Sequence, residues 1–302
     1  MDIDTFKPTF VIQIEGQTLS ADITQEITSF VFEDNEEELD VLELAVTDRN
    51  LQFVDDPLFQ EGNEIVARFG YVGNLSPRKK AVIKDIDYDF PEDGDPTIHI
   101  KAYDKGFKLA GKENQRVWQK PAPGILYSEI AEEIAGTNGL SPVVTPTKAR
   151  HLRVTQSNVS DAQFLKELAG KARDKDGDGV TGYVFYIQDD KLHFHPRDLD
   201  KKPAAILEYF TDRKGVLRSF RPSTQSQGAK GAGVYYCHSV RHAFGEGGYH
   251  CELKLKKNAL GKGAGDKSDE AKGKQNDQEA PPTPKEEPPP MVTIDADSGR
   301  RL

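Results

Sequence analysis

Apolar and polar side chains alternate at every second residue through most of residues 10–103, and this alternation constrains the fold more than any other feature. A period of two places one side of an extended strand in a core and the other side in water. The clearest run sets three apolar side chains against three aspartates: Ile86, Tyr88 and Phe90 against Asp85, Asp87 and Asp89. Turn signals separate such runs, among them Asp34-Asn35, Gly73-Asn74 and Asp93-Gly94. Short strands at this spacing predict an antiparallel barrel or sandwich.

Residues 113–200 change to a mixed pattern. Apolar residues recur there at helical spacing twice, in Leu126, Ile130 and Ile134 and then in Phe164, Leu165, Leu168 and Ala172. We therefore expect one helix from near Gly124 to near Gly136 and another that begins at the N-cap residue Ser160. Alternation returns over 183–196, so the stretch predicts a small α+β unit in which a hairpin follows two helices.

Strand-like runs return from 205 to 256, and the composition then shifts. Residues 261–290 contain no large apolar or aromatic side chain. Such a segment cannot bury enough surface to offset the entropy lost on ordering, which predicts a flexible linker. We therefore expect four parts: a first β unit over 1–112, an α+β insert over 113–202, a second β unit over 203–258, and a flexible Pro- and charge-rich linker with the C-terminal segment over 259–302.

Charge and cysteine content exclude several classes of protein. The 302 residues carry a formal net charge of −10, whereas non-specific nucleic-acid binding needs a basic face. Two cysteines, Cys237 and Cys251, are too few for a disulfide-dense secreted scaffold. The N-terminus has no basic region followed by an apolar run, and no stretch approaches about 18 apolar residues. We therefore expect neither a secretory signal nor a membrane span.

One Asp-rich stretch is a candidate for metal binding. Asp174, Asp176 and Asp178, followed by Gly179, match the start of an EF-hand calcium loop. That loop also needs a bidentate carboxylate at its twelfth position, where this chain has Phe185 inside an alternating run. The preferred interpretation is a polar connection between a helix and a hairpin, and no metal or cofactor is expected.

Two Cys-His pairs form a second candidate. Cys237-His238 and His250-Cys251 mirror each other, and His242 lies between them. Two Cys and two His residues are ligands that zinc accepts, but neighbours on a strand point to opposite faces, so one residue of each pair could face a common metal. A structural pair of thiols across a hairpin is simpler, and a disulfide between them stays open.

His193 and His195 flank Phe194 on one strand, with Asp198 nearby. They suggest acid–base chemistry, but no nucleophile, second carboxylate or oxyanion site accompanies them. No lipase-type nucleophile motif, phosphate-binding loop, dinucleotide-binding fingerprint or zinc-protease motif occurs in the sequence. We therefore predict no catalytic or cofactor-binding residue and expect a protein that is not an enzyme.

Three passages in a fixed order carry a family resemblance. The first is LDVLELAVTDRN at 39–50, which continues into FQEGNEIVARFGY at 59–71 and AVIKDIDYDFPEDGDPTIHIKAYDKGFKL at 81–109. The second is QSNVSDAQFLKELAGKA at 156–172, followed by GYVFYIQDDKLHFHP, and the third is GEGGYHCELKL at 245–255. Together they resemble the phage late control gene D family of contractile-tail baseplate hub proteins, which is related to the N-terminal hub part of type VI secretion spike proteins.

The resemblance implies a homotrimer in which each chain contributes two tube-like antiparallel barrels, near 1–112 and 203–258, around a LysM-like insert. Three such chains would form a pseudo-sixfold ring between a tail tube protein and a threefold spike protein, with other baseplate components around it. DNA or cargo would pass only through the lumen. Such a protein would be made in the bacterial cytoplasm and located in the tail or baseplate of a virion or contractile particle.

Two departures from the family and two alternatives remain. The Asp-rich residues 174–181 lengthen a connection that is usually tight, and the polar tail from 261 stands where fused relatives carry a spike. LysM modules bind peptidoglycan, so residues 113–200 are also compatible with a cell-wall-binding module. A tail-associated cell-wall hydrolase is the other alternative.

Overall fold

A computed structural model describes residues 7–36, 38–176, 179–197, 219 and 235–257. The chain divides into two compact units. The described residues of the first unit are those up to 197 together with 238–254. Those of the second unit are 219, 235–237 and 255–257.

Most of the described residues before 104, together with 235–257, form one large sheet. Its strands are β1 (Pro8–Ile14), β2 (Gln17–Thr18), β3 (Ile27–Asn35), β4 (Val41–Thr47), β5 (Glu64–Tyr71), β6 (Asn74–Leu75), β7 (Lys79–Asp89), β8 (Thr97–Tyr103), β17 (Tyr235–Gly245) and β18 (Gly248–Lys257). Within the described residues this sheet has ten strands in the order β18-β17-β3-β4-β8-β7-β5-β1-β2, and β6 pairs with β5 beside that path. The pairings for which a register is defined are all antiparallel. One short helix, α1 (Ala21–Gln25), precedes β3.

The sheet is curled around an aromatic core. Phe10 on β1 and Phe244 on β17 lie far apart in the strand order, yet their ring centroids are 5.6 Å apart. Phe30 of β3 contacts both rings, at 5.3 and 5.5 Å. A buried Phe side chain contributes about 1.5–3 kcal/mol, so these contacts hold the two ends of the sheet over a common core. The fold is thus mainly β, as predicted, with a curled antiparallel sheet.

The predicted alternation fails at the end of β7. Ile86 packs against the core, but the side chains of Tyr88 and Phe90 are 42% and 59% exposed. A bulge between Ile83 and Asp85 shifts the register of β7 on β8, and the side chains from Asp87 to Asp95 are exposed. The β7–β8 hairpin therefore extends past the core, so these two aromatic residues face solvent.

The insert has its own core. Its elements are α2 (Phe107–Ala110), β9 (Glu113–Gln119), β10 (Ile125–Leu126), α3 (Tyr127–Thr137), β11 (Ser141–Val144), β12 (Arg150–His151), β13 (Arg153–Ser160), α4 (Asp161–Lys171), β14 (Arg173–Asp176), β15 (Gly179–Gln188) and β16 (Lys191–Pro196). The helices α3 and α4 pack their apolar faces against β15 and β16, and β9 pairs with β13 as a separate two-stranded ribbon.

Both predicted helices and the predicted hairpin of the insert are confirmed. The α4 helix begins where the side chain of Ser160 accepts a hydrogen bond from the backbone N–H of Gln163 at 3.2 Å. β15 and β16 pair across a turn in which Asp189 has a φ of 54°. Among the described residues, no helix combines the length and apolar character that crossing a membrane requires.

The second β unit predicted over 203–258 lies mostly outside the described residues. Its described part includes β17, whose residues Ser239–Phe244 pair with Phe30–Asn35 of β3 in the curled sheet. The predicted strand-like runs between 205 and 234, apart from Ser219, and the predicted linker also lie outside the described residues. The four-part division of the chain therefore stays a prediction.

Candidate functional site

Two of the three candidate calcium ligands lie in a strand rather than in a coiled loop. Asp174 and Asp176 belong to β14, which pairs with β15 in the register Asp174↔Thr181 and Asp176↔Gly179. Asp178 lies outside the described residues. Among the described residues, no group of three or more His, Cys, Asp or Glu side chains is arranged to hold a metal ion. Calcium binding here stays a low-ranked hypothesis.

The Cys-His pairs do not come together as a four-ligand site. Instead, Nδ1 of His242 lies 2.8 Å from the Tyr249 hydroxyl oxygen and 3.1 Å from Sγ of Cys251. The Cys251 thiol also donates to the Tyr249 oxygen at 3.1 Å. No disulfide joins the two described cysteines. Tyr249 was not among the residues singled out from the sequence, although the turn at Glu246-Gly247 brings it back beside β17.

The electrostatics of this cluster oppose nucleophilic chemistry. Burial, with a smaller contribution from Lys79, lowers the pKa of His242 to about 4. Although Cys251 reaches solvent, desolvation of its thiol raises the pKa of that group, and burial also raises the pKa of Tyr249. A reactive cysteine needs a lowered pKa and a basic partner. These three side chains are therefore neutral near pH 7 and act as a hydrogen-bonded group.

His193 and His195 lie against Tyr186 on the neighbouring strand. The ring of His193 stacks on Tyr186 with centroids 4.6 Å apart and an interplanar angle of 4°. Nδ1 of His195 lies 2.8 Å from the carbonyl oxygen of Pro196, and Nε2 lies 3.2 Å from the Tyr186 hydroxyl. Because a carbonyl only accepts, Nδ1 carries the proton and Nε2 accepts from Tyr186. Asp198, the third predicted member, lies outside the described residues.

A network of charges fixes the insert to the curled sheet. Asp190, in the turn between β15 and β16, forms ion pairs with Lys105 and, at 3.2 Å, with Lys80. Both lysines also reach Glu64 of β5, at 3.3 and 3.7 Å. The hydrogen bond from Lys105 lowers the pKa of Asp190, and the same bond raises the pKa of Lys105. The side chains are partly exposed, so each pair contributes about 1 kcal/mol or less.

Close backbone packing accompanies this network. A Cβ atom placed on Gly106 would lie 2.6 Å from Oδ1 of Asp104, 2.9 Å from Leu39 and 3.2 Å from Cγ1 of Ile187 in the insert. Asp104 also binds the backbone N–H groups of Gly106 and Asp40, at 2.6 and 2.7 Å. Only a residue without a side chain fits between the sheet and β15 at this point.

A second tether involves Glu36. Its mostly buried carboxylate lies 3.3 Å from Nε of Arg197, which follows β16, and 3.4 Å from Nδ1 of His238. The acidic run Glu36-Glu37-Glu38 by itself predicts a solvated turn, but the side chain of Glu36 is only 9% exposed. Glu37 lies outside the described residues. The carboxylate is buried because residues far apart in the sequence meet around it.

A buried ion pair lies beneath the aromatic core. Nζ of Lys79 is 2.8 Å from Oδ2 of Asp34, with side chains 8% and 2% exposed, and it also lies 5.5 Å from the Phe32 ring centroid. Removing one member of such a pair leaves a buried charge without its partner. The pair therefore fixes β7 relative to β3 more than it adds net stability.

The end of the β7–β8 hairpin is exposed to solvent over residues 87–95. Tyr88 and Phe90 stack there with ring centroids 6.5 Å apart. The loop 48–54 lies alongside, and the Tyr88 hydroxyl donates a hydrogen bond to the carbonyl oxygen of Val54 in this loop at 3.4 Å. The acidic side chains of this end are Asp85, Asp87, Asp89, Glu92, Asp93 and Asp95, and residues 85–97 include no Lys or Arg. Two aromatic rings are therefore exposed amid acidic side chains at this end of the hairpin.

Solved structures that share the fold include tail proteins and a component of a type VI secretion system. The chain superposes on a tail protein of Neisseria meningitidis with a TM-score of 0.59 and 9% identity, covering 84% of this chain and 98% of that one. A prophage tail protein of Shewanella oneidensis gives 0.59 and 10%, covering 83% and 98%. A component of the E. coli type VI secretion system, similar in structure to the phage T4 tail proteins gp27 and gp5, gives 0.54 and 10%, covering 82% and 76%. The chain thus shares its fold with these tail and type VI secretion proteins.

The sequence comparisons identify a family. No curated protein matches the chain in sequence. The family model described as the Alg8 N-terminal domain matches residues 5–214. Because this match spans more than half of the 302 residues, the chain belongs to the Alg8 N-terminal domain family.

Proposed function

We propose that this chain is a structural component of a contractile phage tail or phage-like injection system, a hub that joins the tail tube to the spike. The observation that carries the proposal is the fold, which is shared over more than four-fifths of the chain with tail proteins of two bacteria and with a type VI secretion component. Because these likenesses are at or below 10% identity, they support the role through architecture rather than through conserved site residues.

The described architecture suits a wall element. The curled sheet buries side chains on both faces of β3, where Phe30, Val31 and Phe32 are all buried. Such a sheet is stiff, and closure of several sheets into a ring would cover strand edges that otherwise attract other chains. In this proposal three copies form the ring, the second β unit over 203–258 provides the other half of the pseudo-sixfold wall, and the LysM-like insert over 113–202 supports it from outside.

The electrostatics of the histidine and cysteine clusters favour this role over an enzymatic one. His242 has a pKa of about 4, and the Cys251 thiol has a raised pKa, so neither group is prepared for acid–base or nucleophilic work near pH 7. His195 is oriented by Tyr186 and the Pro196 carbonyl. These contacts serve packing, and the proposal assigns no catalytic residue and no cofactor.

Sedimentation of particles from the native host tests the proposal. A tagged full-length chain is expressed from its own locus, contractile particles are pelleted from the lysate, and the tag is located by immunogold electron microscopy. The proposal expects the tag in the particle fraction and at one end of the tube. A chain that stays in the supernatant while tube protein pellets would refute it.

A second assay distinguishes the proposed hub from the alternative, a peptidoglycan-binding module. Purified chain is incubated with insoluble peptidoglycan and pelleted, with a variant that lacks residues 113–202 as the comparison. The hub proposal expects no more of the full chain in the pellet than of an unrelated control protein. Retention that depends on the insert would favour the wall-binding module.

A further inference from the structure

Three large apolar side chains are exposed where the β7–β8 hairpin ends. Phe90, Leu51 and Tyr88 are 59%, 53% and 42% exposed there. The rings of Tyr88 and Phe90 stack with centroids 6.5 Å apart, and the Tyr88 hydroxyl donates to a carbonyl of the loop that carries Leu51. We call this surface the hairpin end: residues 87–95 with the loop 48–54. Apolar side chains exposed together mark interaction surfaces more often than single ones do.

The two faces of the hairpin end differ in chemistry. Tyr88 stands opposite the buried Ile98 in the register of β7 on β8, so its ring continues the core side of the strand into solvent. Asp87 stands opposite His99 on the other side, and both are exposed. Strand alternation and the stacking of the two rings place Phe90 with Tyr88. The hairpin end thus presents aromatic rings on one face and carboxylates on the other.

The loop beside the rings is already ordered before any partner binds. Asp48 is 2% exposed, and its carboxylate accepts hydrogen bonds from three successive backbone N–H groups, those of Gln52, Phe53 and Val54, at 2.7, 2.9 and 2.9 Å. These bonds hold Leu51 at a φ of 54°, which is uncommon for a branched side chain. An ordered loop loses little conformational entropy on binding. The rings and Leu51 therefore form a preformed contact surface.

The charge of the hairpin end indicates the chemistry of its partner. Residues 85–97 include six carboxylates and no Lys or Arg. The adjoining loop contributes the cation Arg49, whose Nε lies 2.9 Å from Oδ2 of Asp95. The excess of negative charge would repel nucleic acid and an anionic membrane surface, and it would attract a cationic protein segment. An Arg or Lys of that segment can both lie over an aromatic ring and pair with a carboxylate.

We infer that the hairpin end docks on a cationic segment of another protein of the particle, in which Lys or Arg side chains flank an apolar one. The apolar side chain would cover Phe90 and Leu51, and the cations would meet the carboxylates around them, as in the apolar centre and polar rim of other interfaces. Phe90 should contribute most, because it is the most exposed of the three side chains and aromatic rings bury a large area. This inference rests on the proposed function and adds to it the surface and the chemistry of one contact.

Photo-crosslinking in assembled particles tests the contact. The photoreactive p-benzoylphenylalanine replaces Phe90 in the tagged full-length chain, which is expressed in the native host, and the isolated particles are irradiated. We expect a covalent adduct with a different polypeptide, attached within a few residues of a Lys or Arg. The control carries the same photoreactive residue in place of Val117, which is 51% exposed on the insert, and it should not give this adduct.

Charge reversal in the photoreactive chain tests the electrostatic part. Glu92→Lys with Asp93→Lys should lower the yield of the Phe90-position adduct by about tenfold, because like charges then face each other. Glu132→Lys with Glu133→Lys, on the exposed side of α3, is the matched control and should leave the yield unchanged.

The apolar part is tested without the photoreactive residue. Phe90→Ser should lower the amount of chain in the particle fraction, relative to tube protein, by about tenfold. Val117→Ser removes an apolar side chain of similar exposure from the insert and should enter particles as the wild type does. Circular dichroism melting shows that each variant is folded before it is compared.

Three results would overturn the inference while the chain still pellets with particles, and each leaves the proposed function standing. The first is no adduct from position 90. The second is an adduct only with another copy of this chain, with nucleic acid, lipid or peptidoglycan, or with a segment that has no Lys or Arg nearby. The third is a Phe90→Ser chain that enters particles at the wild-type level. A wild-type chain absent from particles would refute the proposed function and the inference together.

Discussion

At the scale of single residues, several polar groups are held in place by neighbours that are remote in the sequence. His242 of β17 lies between the Phe69 ring, at 4.7 Å, and the hydroxyl of Tyr249. Gly106 lies where the curled sheet and β15 of the insert approach each other closely. Both residues act through geometry rather than through chemistry at a substrate, and both give measurable consequences for stability.

Gly106→Ala should destabilise the fold. The added Cβ would lie within 3.0 Å of Asp104 and Leu39, so either the buried carboxylate or the apolar contact must shift. Overpacking of this kind costs about 1–3 kcal/mol, measured as a lower urea midpoint with an unchanged slope. Gly136→Ala is the matched control: that glycine lies in α3 with no atom within 4 Å of its added Cβ. The control should be neutral or slightly stabilising, since Ala favours helices.

The burial of His242 makes stability depend on pH. The pKa of His242 falls from an ordinary 6.5 to about 4 in the folded chain. Between these two values the unfolded chain is protonated at this residue while the folded chain is not. The free energy of unfolding is therefore undiminished above pH 6.5 and decreases as the pH drops toward 4. At pH 5 the loss is about 2 kcal/mol. His242→Phe should remove this loss when unfolding by urea is compared at pH 7 and pH 5. His250→Phe, at an exposed position of β18, should retain it.

At the scale of elements, helix starts and hairpin turns depend on one or two local side chains. Ser160 caps α4 through a hydrogen bond from the backbone N–H of Gln163 at 3.2 Å, and α4 buries Phe164, Leu165 and Leu168 against the hairpin β15–β16. The cap therefore orients the helix that carries much of the insert core.

Ser160→Ala should reduce the free energy of unfolding by about 1 kcal/mol, because one backbone donor at the helix start loses its partner. Chemical denaturation of the full chain measures the effect. Ser157→Ala, at an exposed position of β13, is the control and is expected to change stability by less than about 0.5 kcal/mol. Equal losses for both variants would mean that the cap contributes nothing specific.

The local elements were predictable from the sequence because they depend on short-range periodicity. The two helices at 127–137 and 161–171 and the hairpin around Asp189 follow from apolar spacing and turn residues. The exposure of Tyr88 and Phe90 could not be predicted from the sequence, because alternation alone does not indicate how far a hairpin extends past its core. The Glu36 tether and the His242 cluster also escaped prediction, since each joins residues that pair only in the tertiary fold.

At the scale of the molecule, the insert and the curled sheet are coupled by two charged tethers. Asp190 meets Lys80 and Lys105 at one point, and Arg197 meets Glu36 at another. Between them, Gly106 allows close backbone packing. In the proposed hub, such coupling would let the insert transmit load to the wall of the ring.

Electron cryomicroscopy of isolated particles tests the central claim most directly. The tube end is reconstructed without imposed symmetry, and the density is compared with the curled sheet and its tethered insert. The account predicts three copies of this chain in a ring between the last tube layer and the spike. A ring at that position built entirely from another protein, with this chain absent from the particle, would contradict it.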